Sequence, residues 1–183
     1  MQLSGNRADN VRHTYDASAG KWNSAYDIYW KDKHTHIDVY GYYPFANPES
    51  IDDYQFEVQR NQSTASEDGN MGGYEASDFL WGTVGDLAPT SNVIRLLLKH
   101  RMSSAYVTLV QGEGFAEGEW AATEKTVLTA NVVRKASINL ADGTVKPAGA
   151  VESTATIPSQ VGDVWRTIVV PQTVQAGTTL FSI

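Results

Sequence analysis

Turn-forming clusters interrupt this chain about every ten residues, and the stretches between them are rich in Tyr, Thr, Val and Trp. β-Branched and aromatic side chains fit a pleated, half-buried surface. Short strands with turns at that spacing are the pattern of a sandwich, so the chain is expected to be all-β. Ala25 to Trp30 and His36 to Tyr43 read as two strands. In the second, Ile37, Val39, Gly41 and Tyr43 share one face, and Asp38, Tyr40 and Tyr42 take the other. Pro44 stops it, and residues 46–50 form a loop. Tyr54, Phe56 and Val58 then alternate with polar residues. Further on, Val127 to Val133 reads as a strand. Ala136 to Leu140 and Thr144 to Lys146 flank Asp142-Gly143, a hairpin signal because glycine accepts positive φ. Trp165 to Val170 is a strand ended by Pro171, and Thr178 to Ile183 follows a turn at Ala176-Gly177.

Two stretches read less simply. Ser63 to Gly73 is polar and glycine-rich with almost nothing to bury, which predicts a mobile loop. Asn92 to Val110 admits two readings. Val93, Leu96, Leu97 and Ser104 form a helix face behind a Ser91 cap, yet Tyr106 to Val110 are strand formers. One or two strands are the preferred reading. At 183 residues the chain suits one domain or two small ones. Gln111-Gly112-Glu113-Gly114 interrupts the longest apolar segment, which places a boundary between residues 1–111 and 112–183.

Composition removes several function classes. A formal net charge of −7, without any cluster of Lys or Arg, argues against a nucleic-acid partner. The absence of cysteine excludes disulfides, thiol catalysis and thiolate metal sites. No apolar run approaches the roughly 18 residues needed to span a bilayer. Residues 1–20 are polar and carry no signal-peptide pattern, so the chain reads either as cytosolic or as a mature or trimmed piece of an exported protein.

Candidate chemistry is sparse. His34 and His36, with Asp32 and Asp38 nearby, sketch half a metal site without a third imidazole, and an exposed turn is the better reading. Asp52, Asp53, Glu57, Asp78 and Asp86 include no pair whose separation a sequence can fix, as glycoside hydrolysis requires. No Gly-x-Ser-x-Gly elbow occurs. Gly112-Glu113-Gly114 lacks the rest of a phosphate loop, and Asn61-Gln62-Ser63 is read as loop despite matching a glycosylation acceptor. His100, between Lys99 and Arg101 and with no adjacent carboxylate, is read as structural, hydrogen-bonded to backbone. Trp22, Tyr26, Tyr29, Trp30, Tyr40, Tyr42 and Tyr43 crowd the first quarter of the chain. Exposed rings of this kind stack on sugars or on partner proteins, but burial between two sheets is the preferred reading. No catalytic residue, metal or cofactor is assigned, and the binding residues stay unassigned.

Several segments in fixed order carry a resemblance. They are Tyr42-Tyr43-Pro44-Phe45, Asn61-Gln62, Ser77-Asp78-Phe79-Leu80-Trp81, Lys99-His100-Arg101-Met102-Ser103, Ala136 to Leu140 with Gly143, and Val169-Val170-Pro171-Gln172-Thr173. Together they resemble the fimbrillin family of Bacteroidales, from about Tyr15 to Ile183. The resemblance implies two tandem transthyretin-like β-sandwich domains, the second incomplete here, in a chain trimmed at both ends. It also implies a non-enzymatic cell-surface pilus subunit, stalk or tip, exported as a lipoprotein precursor with a lipid anchor at the outer membrane. Other pilus subunits would be its partners through strand exchange, with a surface receptor if it is an adhesin. A glycan-binding surface lipoprotein module using the Trp22 to Tyr43 aromatics is the alternative. A glycoside hydrolase accessory or catalytic domain is a weaker one.

Overall fold

The structure is a computed structural model that describes residues 7–67 and 69–183. Alternating apolar and polar side chains, stopped by turn residues, set the strand limits. In chain order the elements are β1 (His13–Asp16), β2 (Lys21–Ser24), β3 (Ile37–Tyr43), β4 (Tyr54–Glu57), α1 (Gly73–Ser77), β5 (Leu80–Leu87), β6 (Lys99–His100) and β7 (Ser103–Thr108). They continue with α2 (Glu119–Ala122), β8 (Leu128–Thr129), β9 (Lys135–Asn139), β10 (Thr144–Pro147), β11 (Ser159–Val161), β12 (Val164–Val169) and β13 (Phe181–Ser182). Every strand pair is antiparallel, and the sheet orders are β1–β2, β10–β9–β4, β11–β12–β7, β13–β8 and β3–β5–β6. The fold is all-β, with two helices of about one turn each among the described residues.

Most expected strands are present, and the exceptions have local causes. Asp142-Gly143 turns the β9–β10 hairpin, with Gly143 at φ +73° and the Asp142 carboxylate accepting from Thr144 N. Asn92 to Val110 resolves into β6 and β7 rather than a helix. By contrast, Ala25 to Trp30 forms no strand; β2 lies just before it, at Lys21–Ser24. The expected strand at Val127 to Val133 shrinks to β8, because Asn131 adopts left-handed φ (+57°), which breaks an extended ladder. Thr178 to Ile183 likewise keeps only β13. The stretch from Ser63 to Gly73 buries Gly72 and Gly73 and is tied back on itself by Gly73 N to Thr64 O and Gly72 N to Ser66 Oγ.

The main core collects Phe56 and Val58, Phe79 and Trp81, Ala136, Ile138 and Leu140, and Ile168 and Val170. Phe79 sits at its centre, with the rings of Tyr42, Tyr54 and Phe56 5.5–6.1 Å away. Trp81 Nε1 donates to Leu140 O and ties β5 to the end of β9. This arrangement corrects the expected division into 1–111 and 112–183. β4 pairs with β9 and β7 with β12, so strands from both sides of Gly112 share sheets and one core. Gly112 and Gly114 lie instead in an exposed connection between β7 and α2.

One crossing depends on glycine. Gly41 and Gly82 face each other across β3 and β5. The segment before β6 runs over them, and a Cβ on Gly82 would strike the Leu97 carbonyl, while one on Gly41 would strike the Leu96 side chain. The missing side chains leave a trough in which backbone lies directly on a sheet. Gly82→Ala is expected to lower stability by roughly 1–3 kcal/mol through overpacking. Gly112→Ala, which meets nothing within 4 Å, should stay within about 0.5 kcal/mol of the parent. Urea denaturation of the two variants checks this.

Candidate functional site

Strand pairing brings together segments that are far apart in sequence. Tyr42 and Tyr43 pair with Trp81 and Leu80, and Leu80 and Trp81 pair with His100 and Lys99. Arg101 N bonds Phe79 O, and the Arg101 guanidinium lies 4.8 Å from the Trp81 ring centre. Ser103 and Ser104 then pair with Val169 and Ile168. The Tyr43–Pro44 peptide is cis. This convergence builds the walls of the core.

Two glutamines do work that usually falls to backbone. In β12, Ile168 turns its N–H and C=O away from β7. The buried Gln62 amide meets both, with Oε1 accepting from Ile168 N at 2.7 Å and Nε2 donating to Ile168 O at 2.8 Å. Thr167 and Thr156 hydroxyls extend that network in the interior. Gln172 repeats the device on Val133, accepting from its N–H at 2.8 Å and donating to its C=O at 3.0 Å. Each amide supplies the donor and acceptor that a neighbouring strand residue would supply. Sequence reasoning singled out both glutamines as parts of a resemblance but not this role.

The polar candidates are held in separate local pairs. His36 Nδ1 lies 2.7 Å from Asp86, and Asp38 accepts from Asp86 N. Asp32 closes the preceding turn; the Thr35 hydroxyl, with the His34 and Thr35 backbone N–H groups, holds its pKa at about 2. Among the described residues, no group of three His, Asp or Glu stands where it could hold a metal ion. Asp53 accepts from Ser137 and Gln55, Glu57 pairs with Arg134, and Asp78 pairs with His100. His100 therefore has a carboxylate partner rather than the expected backbone one. The β5–β6 pairing brings in Asp78 from 22 residues away, which adjacency in sequence could not show.

The aromatic-rich start of the chain is exposed, which corrects the expectation of burial. Trp22, Tyr26, Tyr29 and Tyr40 are all more than half exposed, and so is Tyr15. Trp30 and Tyr42 are anchored instead, through Trp30 Nε1 to Thr90 O and Tyr42 Oη to Ala46 O.

A second surface lies along β7. Among the described residues this strand pairs with β12 on one side only. Ile168, opposite Ser104, points away from β7, and Leu109 N bonds Asp163 O. The alternation of antiparallel bonding therefore turns the N–H groups of Tyr106 and Thr108 toward the free edge. Beyond the strand's end is a pocket of about 500 Å³ lined by Leu109, Val110, Trp120, Lys125 and Ile183, among others. Lys125 Nζ caps the Trp120 carbonyl and lies 4.4 Å from that ring, so its charge is already engaged. A free edge beside an apolar pocket suits an added strand with one large side chain.

The sequence model of a family described as fimbrillin-like matches residues 2–183. None of the curated proteins matches the chain. Among solved structures, a protein from Bacteroides uniformis provisionally assigned to cell adhesion superposes with a TM-score of 0.68 at 17% identity. The match covers 91% of this chain and 62% of that one. At such identity the likeness establishes a shared fold.

Proposed function

Since the chain belongs to the fimbrillin-like family, we propose that it is a non-enzymatic subunit of a surface fimbria that joins its neighbours by β-strand complementation. The free edge of β7 is the acceptor, and the pocket of Leu109, Val110, Trp120 and Ile183 takes a side chain of the incoming strand. Main-chain bonds supply the affinity, and the pocket fixes the register. The observation that carries this reading is the outward-facing ladder of β7 next to that apolar cavity. Export as a lipoprotein precursor and attachment at the outer membrane accompany the same reading, and an adhesive role at the fimbrial tip fits it.

Val110 gives a direct test, being 75% exposed and therefore dispensable for folding. The parent chain, expressed with its fimbrial neighbours, is expected to enter multimers that resist dissociation in detergent. Val110→Lys should remain monomeric by size-exclusion chromatography with an unchanged melting temperature. Equal multimer yields from both proteins would remove β7 as the acceptor edge.

A further inference from the structure

The β1–β2 hairpin stands out because it is held firmly while presenting its rings to solvent. Tyr15 and Trp22 are directly opposite one another, with ring centres 5.3 Å apart and planes tilted by 52°. They are 52% and 59% exposed, and among the described residues no other strand or helix packs extensively against them. Their neighbours on the same face are polar: His13 and Ser24 form the next pair but one along the hairpin. The turn is stiffened by Asp16, whose Oδ1 accepts from the Ser18 hydroxyl, Ser18 N and Ala19 N, and by Gly20 at φ +63°. The base is pinned to the body. Ala25 N bonds Arg12 O and closes the hairpin's own ladder, while Arg12 over the Phe45 ring and Asn10, bridging Tyr42 Oη and Ala46 O, hold it to the body.

Charge and area narrow what such a platform accepts. Asp16 and Lys21 are the only carboxylate and ammonium in residues 13–24, so the hairpin itself carries no net charge with which to hold a polyanion or polycation. Tyr and Trp side chains carry about 150–250 Å² of contact area each, so at half exposure the pair offers roughly 200 Å². A stable protein partner needs about 800 Å² from each side. A pyranose ring needs far less. Its apolar C–H face lies on an aromatic ring, and its hydroxyls meet polar groups at the ring's margin.

We propose that this hairpin binds neutral glycans, with one pyranose stacked on Trp22 and flanked by Tyr15. The proposal deepens the adhesive role by naming a ligand class, and it does not depend on how subunits join. Affinity electrophoresis through gels containing soluble starch, mannan or mixed-linkage β-glucan tests it. The parent chain is expected to be retarded by at least one of these polymers. Trp22→Ala should weaken that retardation at least tenfold and Tyr15→Ala severalfold, whereas Trp22→Phe should keep most of it. Melting temperatures should not change, because these rings pack chiefly on each other. Absence of retardation in all three gels, or retardation that survives in the Trp22→Ala, Tyr15→Ala double variant, overturns the proposal. Multimer formation by Trp22→Ala reports on the fimbrial reading separately.

Discussion

Replacing Gln62 by Leu is expected to lower stability by roughly 3–6 kcal/mol, among the largest effects any single substitution would have in this chain. The variant keeps the volume but removes the Gln62 amide from Ile168, so a buried N–H loses its bond and the buried C=O keeps only the long 3.5 Å contact from the Thr167 hydroxyl. Each unpaired group costs roughly 1–3 kcal/mol, and the Thr167 hydroxyl loses one of its acceptors besides. Gln62→Glu gives a sharper result. A carboxylate can accept from Ile168 N but cannot donate to Ile168 O, whereas the protonated acid can do both. Burial therefore favours the protonated form in the folded state and raises the folded pKa. The variant should be most stable below the ordinary glutamic acid range of about 4.3 and lose stability as pH rises through the raised value. Chemical denaturation from pH 4 to pH 8 measures this. A flat profile would show that the amide's donor is not needed.

Arg134→Ala is expected to cost roughly 2–4 kcal/mol. The guanidinium is largely buried and binds Glu57 at 2.6 Å, Glu152 at 3.0 Å and the Val58 carbonyl at 2.9 Å. Arg60 completes the network on the other Glu152 oxygen. The loss falls short of a fully buried ion pair because Glu57 and Glu152 still reach solvent once the arginine has gone. The same contact predicts acid sensitivity. Hydrogen bonding to Arg134, then its charge and the bonds from Arg60, hold the Glu152 pKa below its ordinary value. A carboxylate with a depressed folded pKa stabilises the fold above the unfolded value, near 4.5, and that contribution is lost as pH falls through the folded one. Arg134→Ala should flatten the acid limb of the stability profile, which thermal melts from pH 2.5 to pH 6 would detect.

What could be read from the sequence was whatever is decided locally. Asp142-Gly143 fixes its hairpin because turn geometry needs only neighbouring residues, and Phe56 and Val58 alternate inward as expected. Ala25 to Trp30 carries strand formers and yet forms no strand. Pairing, which propensity does not report, is what makes a strand. The helices at Gly73–Ser77 and Glu119–Ala122 are too short to show a period. The domain division failed because Gly112 looks like a linker from its neighbours alone, and only the long-range pairs β4–β9 and β7–β12 reveal what crosses it. The roles of Gln62 and Gln172 were hidden for the same reason, since their partners lie 106 and 39 residues away.

Those two amides also bear on where an added strand could pair in the proposed assembly. A backbone slot already plugged from within the chain cannot receive a strand from outside, so Ile168 and Val133 are closed to a newcomer. Tyr106 and Thr108 keep their amides turned outward. On the strand-complementation reading, the Gln62 and Gln172 amides therefore leave Ile168 and Val133 nothing to offer an incoming strand, whereas the β7 amides still can.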